Sequence, residues 1–217
     1  MSQHHPAVSA VPVSSWNIAN AFTMARLLLV PVFAWLLLRD GGEDPSGRVA
    51  AFVTFAVAVA TDRIDGDLAR RRGLITDFGK IADPIADKAL IGAALIILSA
   101  LGELPWWVTI VVLVREIGVT VLRFVVIRHG VMPASRGGKA KTVLQAVAIS
   151  LYVLPLSGLG DVAAAVTMAL AVVVTVVTGV DYVLRAARLR RTSLRAVRER
   201  TAGGARLAAT PKRPPEH

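Results

Sequence analysis

Four carboxylates carry the strongest chemical signal in this chain. Asp62 and Asp65 stand three residues apart, and Asp83 and Asp87 stand four apart. On helices, each pair projects from one face. Gly66 and Ala69 follow Asp62 on its face, and Gly79 precedes Asp83 by one turn. Small residues beside acids leave room for a ligand to lie against the backbone. Four acids brought together repel one another, and some would take up protons unless a cation compensates them. Oxygen-only donors suit magnesium, manganese or calcium rather than zinc or copper. Magnesium held by carboxylates and substrate phosphates points to phosphoryl chemistry. The alternative is that the acids form interfacial ion pairs with Arg63, Arg70, Arg71 and Lys88.

The elements that must position these acids are apolar. Of 217 residues, 54% are hydrophobic and 18% charged, and the mean hydropathy is +0.59. Several apolar runs approach the roughly 20 residues that cross a bilayer. The chain contains no cysteine, which excludes disulfides, thiolate metal sites and cysteine nucleophiles. The net charge of +10 lies mostly beside apolar segments. That fits the positive-inside rule and anionic headgroups better than a nucleic-acid partner.

In order, Met1 to Ser15 reads as a disordered tail in which His4 and His5 have no specific partner. Trp16 to Ala21 begins at the interface, and Ala21 to Leu38 is the first span. Arg26, one turn inside it, either snorkels to the headgroups or meets a phosphate. Arg39 to Arg48 is a loop whose charges nearly cancel. Val49 to Thr61 is the second span, continuing as helix through Arg70 until Arg71-Arg72-Gly73 breaks it. Thr76 or Asp77 caps the next helix, which carries Gly79, Asp83 and Asp87 and spans Ala89 to Leu101.

Trp106 and Trp107 form an interfacial belt ahead of a fourth span from Trp107 to Ile127, interrupted by Arg115, Glu116 and Arg123. Arg128 to Lys141 reads as a basic loop, Thr142 to Leu156 as the fifth span and Val162 to Leu184 as the sixth. Arg185 to Arg200 is a densely basic stretch that suits an amphipathic surface helix, and the remainder reads as disordered. The expected fold is an all-α integral membrane protein with six transmembrane helices in residues 16–184, flanked by tails 1–15 and 185–217. The basic loops share the side of both termini, so charge bias places that side and the acids in the cytoplasm.

The stretch Asp62 to Asp87 follows the pattern D-x2-D-G-x2-A-R-x8-G-x3-D-x3-D. With every fixed position filled, it resembles the signature of the CDP-alcohol phosphatidyltransferases. The resemblance implies a six-helix, homodimeric membrane enzyme that uses divalent cations, two Mg2+ or Mn2+ ions. Such an enzyme displaces CMP from CDP-diacylglycerol, or a related CDP-alcohol, with an acceptor hydroxyl. Carried over by position, Asp62, Asp65, Asp83 and Asp87 would bind metal, and Asp87 would also be the general base. Gly66, Ala69, Arg70 and Thr76 would contact the cytidine diphosphate.

Further segments are similar to the phosphatidylglycerophosphate synthase branch of that family. They are Asn17 to Arg26, Asp83-Pro84-Ile85-Ala86-Asp87-Lys88, Arg115 to Arg123 and Gly138 to Gln145. This implies sn-glycerol 3-phosphate as acceptor, whose phosphate calls for cations. Arg123, Lys139, Lys141 and Arg115 are the candidates. Arg115 with Glu116 could instead be a structural ion pair, and Lys139 and Lys141 simple topology charge. Asn20 and Thr23 are candidates to line the CDP-lipid groove, with Arg26 beside them. The alternatives are a cardiolipin synthase of the same fold, using phosphatidylglycerol, and, in a different class, a cation transporter. Against transport stand the clustering of the acids at two span ends and the lack of repeat symmetry.

Overall fold

The computed structural model describes the backbone of residues 18–72, 77–126 and 136–208, and the side chains of 21–62, 85–122 and 140–188. Both extreme tails, including His4 and His5, lie outside the described residues. The described chain forms six α-helices: α1 Ile18–Leu38, α2 Pro45–Arg72, α3 Asp77–Ala100, α4 Trp106–Val126, α5 Arg136–Val153 and α6 Leu159–Ala208. Among the described residues no strand occurs. Two compact units result. One holds the described residues up to Thr109 with Leu144–Met168, and the other Ile110–Val143 with the described residues from Ala169 onward.

In the first unit α1 packs on α2 and α3. Phe33 and Leu37 of α1 are fully buried, as are Ala51 and Ala58 of α2 and Ala94 and Leu98 of α3. The rings of Phe33 and Phe55 sit 5.7 Å apart, tilted by 45°. Alanines at 51, 58, 86 and 94 let these helix backbones approach closely, which apolar helices need when lipid is as greasy as the partner. The outward faces are apolar too: Leu28, Val32 and Trp35 on α1, and Val49, Val53 and Val57 on α2 are exposed. A helix apolar all round belongs in a bilayer or a large core. Ala21–Gly42 and Leu159–Arg188 are long and apolar enough to cross a membrane, and Ala140–Val153 is a shorter apolar helix.

One end of this unit is fastened by Arg48. Its Nη2 donates to Glu103 Oε2 at 2.7 Å and to the Tyr152 carbonyl at 2.6 Å. Its Nε donates to the Val153 carbonyl, and Nη1 to the Gly42 carbonyl, both at 3.0 Å. Nη1 also reaches Glu103 Oε1. This guanidinium joins the start of α2, the end of α5 and the α3–α4 turn. The turn is shaped for it: Gly102 takes φ +79°, and Glu103 N–H closes on the Leu98 carbonyl at 3.0 Å, as in a Schellman helix end. Next door, Asp44 caps α2 by accepting from Ser46 N–H at 3.0 Å and Ser46 Oγ at 2.7 Å. Pro45 occupies the first helical position, where its missing N–H costs nothing. The Ser46 hydroxyl holds the Asp44 carboxyl below its ordinary value.

Two sequence boundaries move. The expected loop Arg128 to Lys141 is shorter, because Arg136–Lys141 already forms the first turns of α5. The basic stretch after Leu184 is a continuation of α6, which runs unbroken for 50 residues to Ala208. Thr201–Ala208, expected to lack structure, is therefore helical.

Candidate active site

The motif acids sit where α2 ends and α3 begins. Asp62, Asp65, Gly66, Ala69 and Arg70 lie on α2, and Gly79, Asp83 and Asp87 on α3. The helical backbone puts Asp62 and Asp65 one turn apart, and Asp83 and Asp87 one turn apart. Side chains 63–84 lie outside the described residues, as does Thr76 entirely. Among the acids, Asp62 and Asp87 can be followed to their side chains, and both are partly exposed.

Asp62 is held from α1. Its Oδ1 lies 2.7 Å from Nη1 of Arg26. The Arg26 side chain is 1% exposed and Asp62 is 39% exposed, so the carboxylate bridges a buried cation and the surface. A guanidinium removed from water needs an anion beside it. The sequence left Arg26 between headgroups and a phosphate; the structure pairs it with the first acid of the motif. Thr23, one turn before Arg26, is 1% exposed. Asn20 lies on α1, its side chain outside the described residues.

Among the described residues no group of three or more acids gathers into a metal site. The donor set nevertheless suits a hard divalent ion. The acids are oxygen donors at helical spacing, and Asp62, although paired with Arg26, remains more than a third exposed.

The second unit contains a separate cluster of charge. Glu116 Oε1 accepts from Arg115 Nη1 at 3.2 Å and also from Lys141 Nζ in a very short contact. Lys141 is 5% exposed, and Arg115 and Glu116 are each 15% exposed. Arg115 Nη2 donates to Thr178 Oγ1 on α6 at 3.1 Å. Gly179 makes room for the arginine stem, since a Cβ there would lie 3.0 Å from Arg115 Cγ. Thus α4 and α5 supply the largely buried triad Arg115–Glu116–Lys141, and α6 supports it through Thr178. Arg123 of α4 and Lys139 of α5 have side chains outside the described residues. Arg115 and Lys141 are sequence candidates for the acceptor phosphate; the ion pair of Arg115 with Glu116, the alternative that the sequence offers, is present, and Lys141 joins it.

The motif acids and the small residues one turn from them thus lie where α2 ends and α3 begins. A model of the CDP-alcohol phosphatidyltransferases matches residues 16–177, and the chain belongs to that family. Among its relatives, the probable phosphatidylglycerophosphate synthase of Mycobacterium tuberculosis (strain ATCC 25618 / H37Rv) is 61% identical over 172 residues, 79% of this chain and 82% of that protein. The CDP-diacylglycerol–glycerol-3-phosphate 3-phosphatidyltransferase of Bacillus subtilis (strain 168) is 39% identical over 180 residues, 77% of this chain and 93% of that protein. A CMP-forming cardiolipin synthase of Streptomyces coelicolor is 38% identical over 128 residues, 58% of this chain and 60% of that protein.

Proposed function

We propose that this protein transfers the phosphatidyl group of CDP-diacylglycerol to sn-glycerol 3-phosphate, giving phosphatidylglycerophosphate and CMP. The observation that carries the choice of acceptor is the extent of the similarity. The matched synthases named for glycerol 3-phosphate or phosphatidylglycerophosphate cover 79% and 77% of the chain. The cardiolipin synthase covers 58%.

In this reading the acceptor hydroxyl oxygen attacks the phosphatidyl phosphorus, and the bond from that phosphorus to the CMP oxygen breaks. Asp87 takes the hydroxyl proton as general base. Asp62, Asp65, Asp83 and Asp87 would hold two Mg2+ or Mn2+ ions, which would supply charge stabilisation for the CMP leaving group. Gly66, Ala69, Arg70 and Thr76 contact the cytidine diphosphate, and Asn20 and Thr23 line the CDP-lipid groove. Arg115, Arg123, Lys139 and Lys141 serve the acceptor phosphate. All six helices cross the membrane, the enzyme works as a homodimer, and the acids and both termini face the cytoplasm. The charge distribution supports that orientation.

An acceptor screen with purified protein and CDP-diacylglycerol tests the assignment. Expected are CMP release and a phosphatidylglycerophosphate product with glycerol 3-phosphate, both lost on chelation of divalent ions. Activity with phosphatidylglycerol alone would reassign the protein as a cardiolipin synthase. Cation flux in vesicles that survives Asp87→Asn would place it among transporters.

A further inference from the structure

We infer that Arg26 is a built-in counter-charge of the motif, and that it sets how tightly Asp62 holds a divalent ion before nucleotide arrives. The inference rests on the proposed metal role of Asp62 and adds a residue with no part in that proposal.

Arg26 and Asp62 belong to one packed unit, in which α1 lies against α2. Nη1 of Arg26 is 2.7 Å from Asp62 Oδ1, and the arginine side chain is 1% exposed. A charge withdrawn from water is little screened by salt, so this cation acts on Asp62 at nearly full strength. The carboxylate itself is 39% exposed, which leaves it open to a second cation. A divalent ion that shares this carboxylate is separated from the guanidinium by that group alone. Arg26 and the ion therefore compete for one negative charge and repel each other.

Two effects oppose each other when Arg26 loses its charge. Asp62 is no longer held in one position, which weakens ion binding. Its first side-chain torsion has three staggered wells, so that freedom is worth about threefold at most. The repulsion also disappears, which strengthens ion binding. A full charge acting on a doubly charged ion across one carboxylate outweighs a threefold effect even at the effective dielectric of a protein surface. Relief of repulsion wins. No buried charge is stranded, because the partly exposed Asp62 is taken over by water. The wild-type pairing has a consequence for binding order. Magnesium completes its shell with substrate phosphates. Arg26 keeps ion affinity low until those phosphates are present, which makes ion and nucleotide binding mutually dependent.

The test is Mn2+ binding to the purified full chain in detergent, without CDP-diacylglycerol, followed by the electron paramagnetic resonance of free Mn2+. The binding that counts is the part lost in Asp62→Asn. In Arg26→Gln that binding is expected to tighten about tenfold. Arg26→Lys keeps the charge and is expected to stay within about threefold of wild type. Arg26→Met, an apolar side chain for a buried place, is expected to match Arg26→Gln and supplies the charge-free readout if Gln does not fold. A role confined to holding Asp62 in place predicts the opposite sign, so unchanged or weaker binding in the charge-free variants overturns the inference. Arg26→Lys binding as tightly as Arg26→Gln overturns it too, as does failure of both charge-free variants to fold. Wild-type protein with no Mn2+ binding, or with binding that survives Asp62→Asn, overturns the proposed metal role of Asp62 first, and this inference with it.

Discussion

Arg26 of α1 and Asp62 of α2 are joined at 2.7 Å, a buried guanidinium against a carboxylate that reaches the surface. The link ties the first acid of the motif to a helix outside it. Exchanging Asp62 for Asn is therefore expected to do two things: abolish transfer and lower stability. The stability loss is about 1–2 kcal/mol, below the usual cost of breaking a fully buried pair because Asp62 is partly solvated. Combining it with Arg26→Gln should recover part of that loss without recovering activity. A double-mutant cycle of thermal unfolding in detergent gives the coupling; a coupling near zero removes the pair from the account.

Asp87→Asn is expected to act on chemistry. Loss of a general base costs on the order of 10²- to 10⁴-fold in kcat. Single-turnover CMP release should show that loss while the variant still binds CDP-diacylglycerol. A variant within threefold of wild type would rule out Asp87 as base.

Arg48 is expected to matter for stability and little for turnover. It spans Glu103 and the carbonyls of Gly42, Tyr152 and Val153. Arg48→Ala leaves Glu103 and those carbonyls without it, a loss of about 3 kcal/mol. For a chain of this length that is on the order of 10 °C in Tm. Activity at low temperature should stay within a few-fold of wild type. A Tm unchanged by Arg48→Ala would show that solvent replaces all of its bonds.

Asp44 supplies a pH-dependent test. Its carboxyl lies below the ordinary value of 3.8, chiefly through the Ser46 hydroxyl. A folded-state value below the unfolded one means that the ionised cap stabilises the fold above about pH 3.8. That contribution fades as the pH falls through the lower, folded-state value. Asn also caps helices but does not titrate. Wild type should therefore melt above Asp44→Asn at pH 7, and the gap should close in acid. A gap independent of pH would assign the difference to geometry instead of charge.

Much of the helical arrangement is legible from apolar run length. The expected helix starts and ends fall within a few residues of α1, α3 and α4, because Gly, Pro and capping residues punctuate them. The exceptions have physical causes. Arg136-Gly137-Gly138-Lys139 looks like a loop by composition, yet it forms the first turns of α5. The arginines after Leu184 look like a separate tail, yet nothing there breaks a helix, so α6 continues. Arg48 reads as one of the loop charges that nearly cancel, and Glu103 lies in a different turn. Their pairing across 55 positions has no local signal.

By itself the sequence determined the chemistry: four carboxylates at one-turn spacings, small residues beside them and apolar helices to carry them, all matters of residue type and local periodicity. Tertiary structure decided the partners. It turned Arg26 toward Asp62 and gathered Arg115 and Lys141 onto Glu116. It also fastened Arg48 to the α3–α4 turn. Each of these is a charge withdrawn from water, and the choice of counter-charge depends on which helices meet, which periodicity alone does not encode.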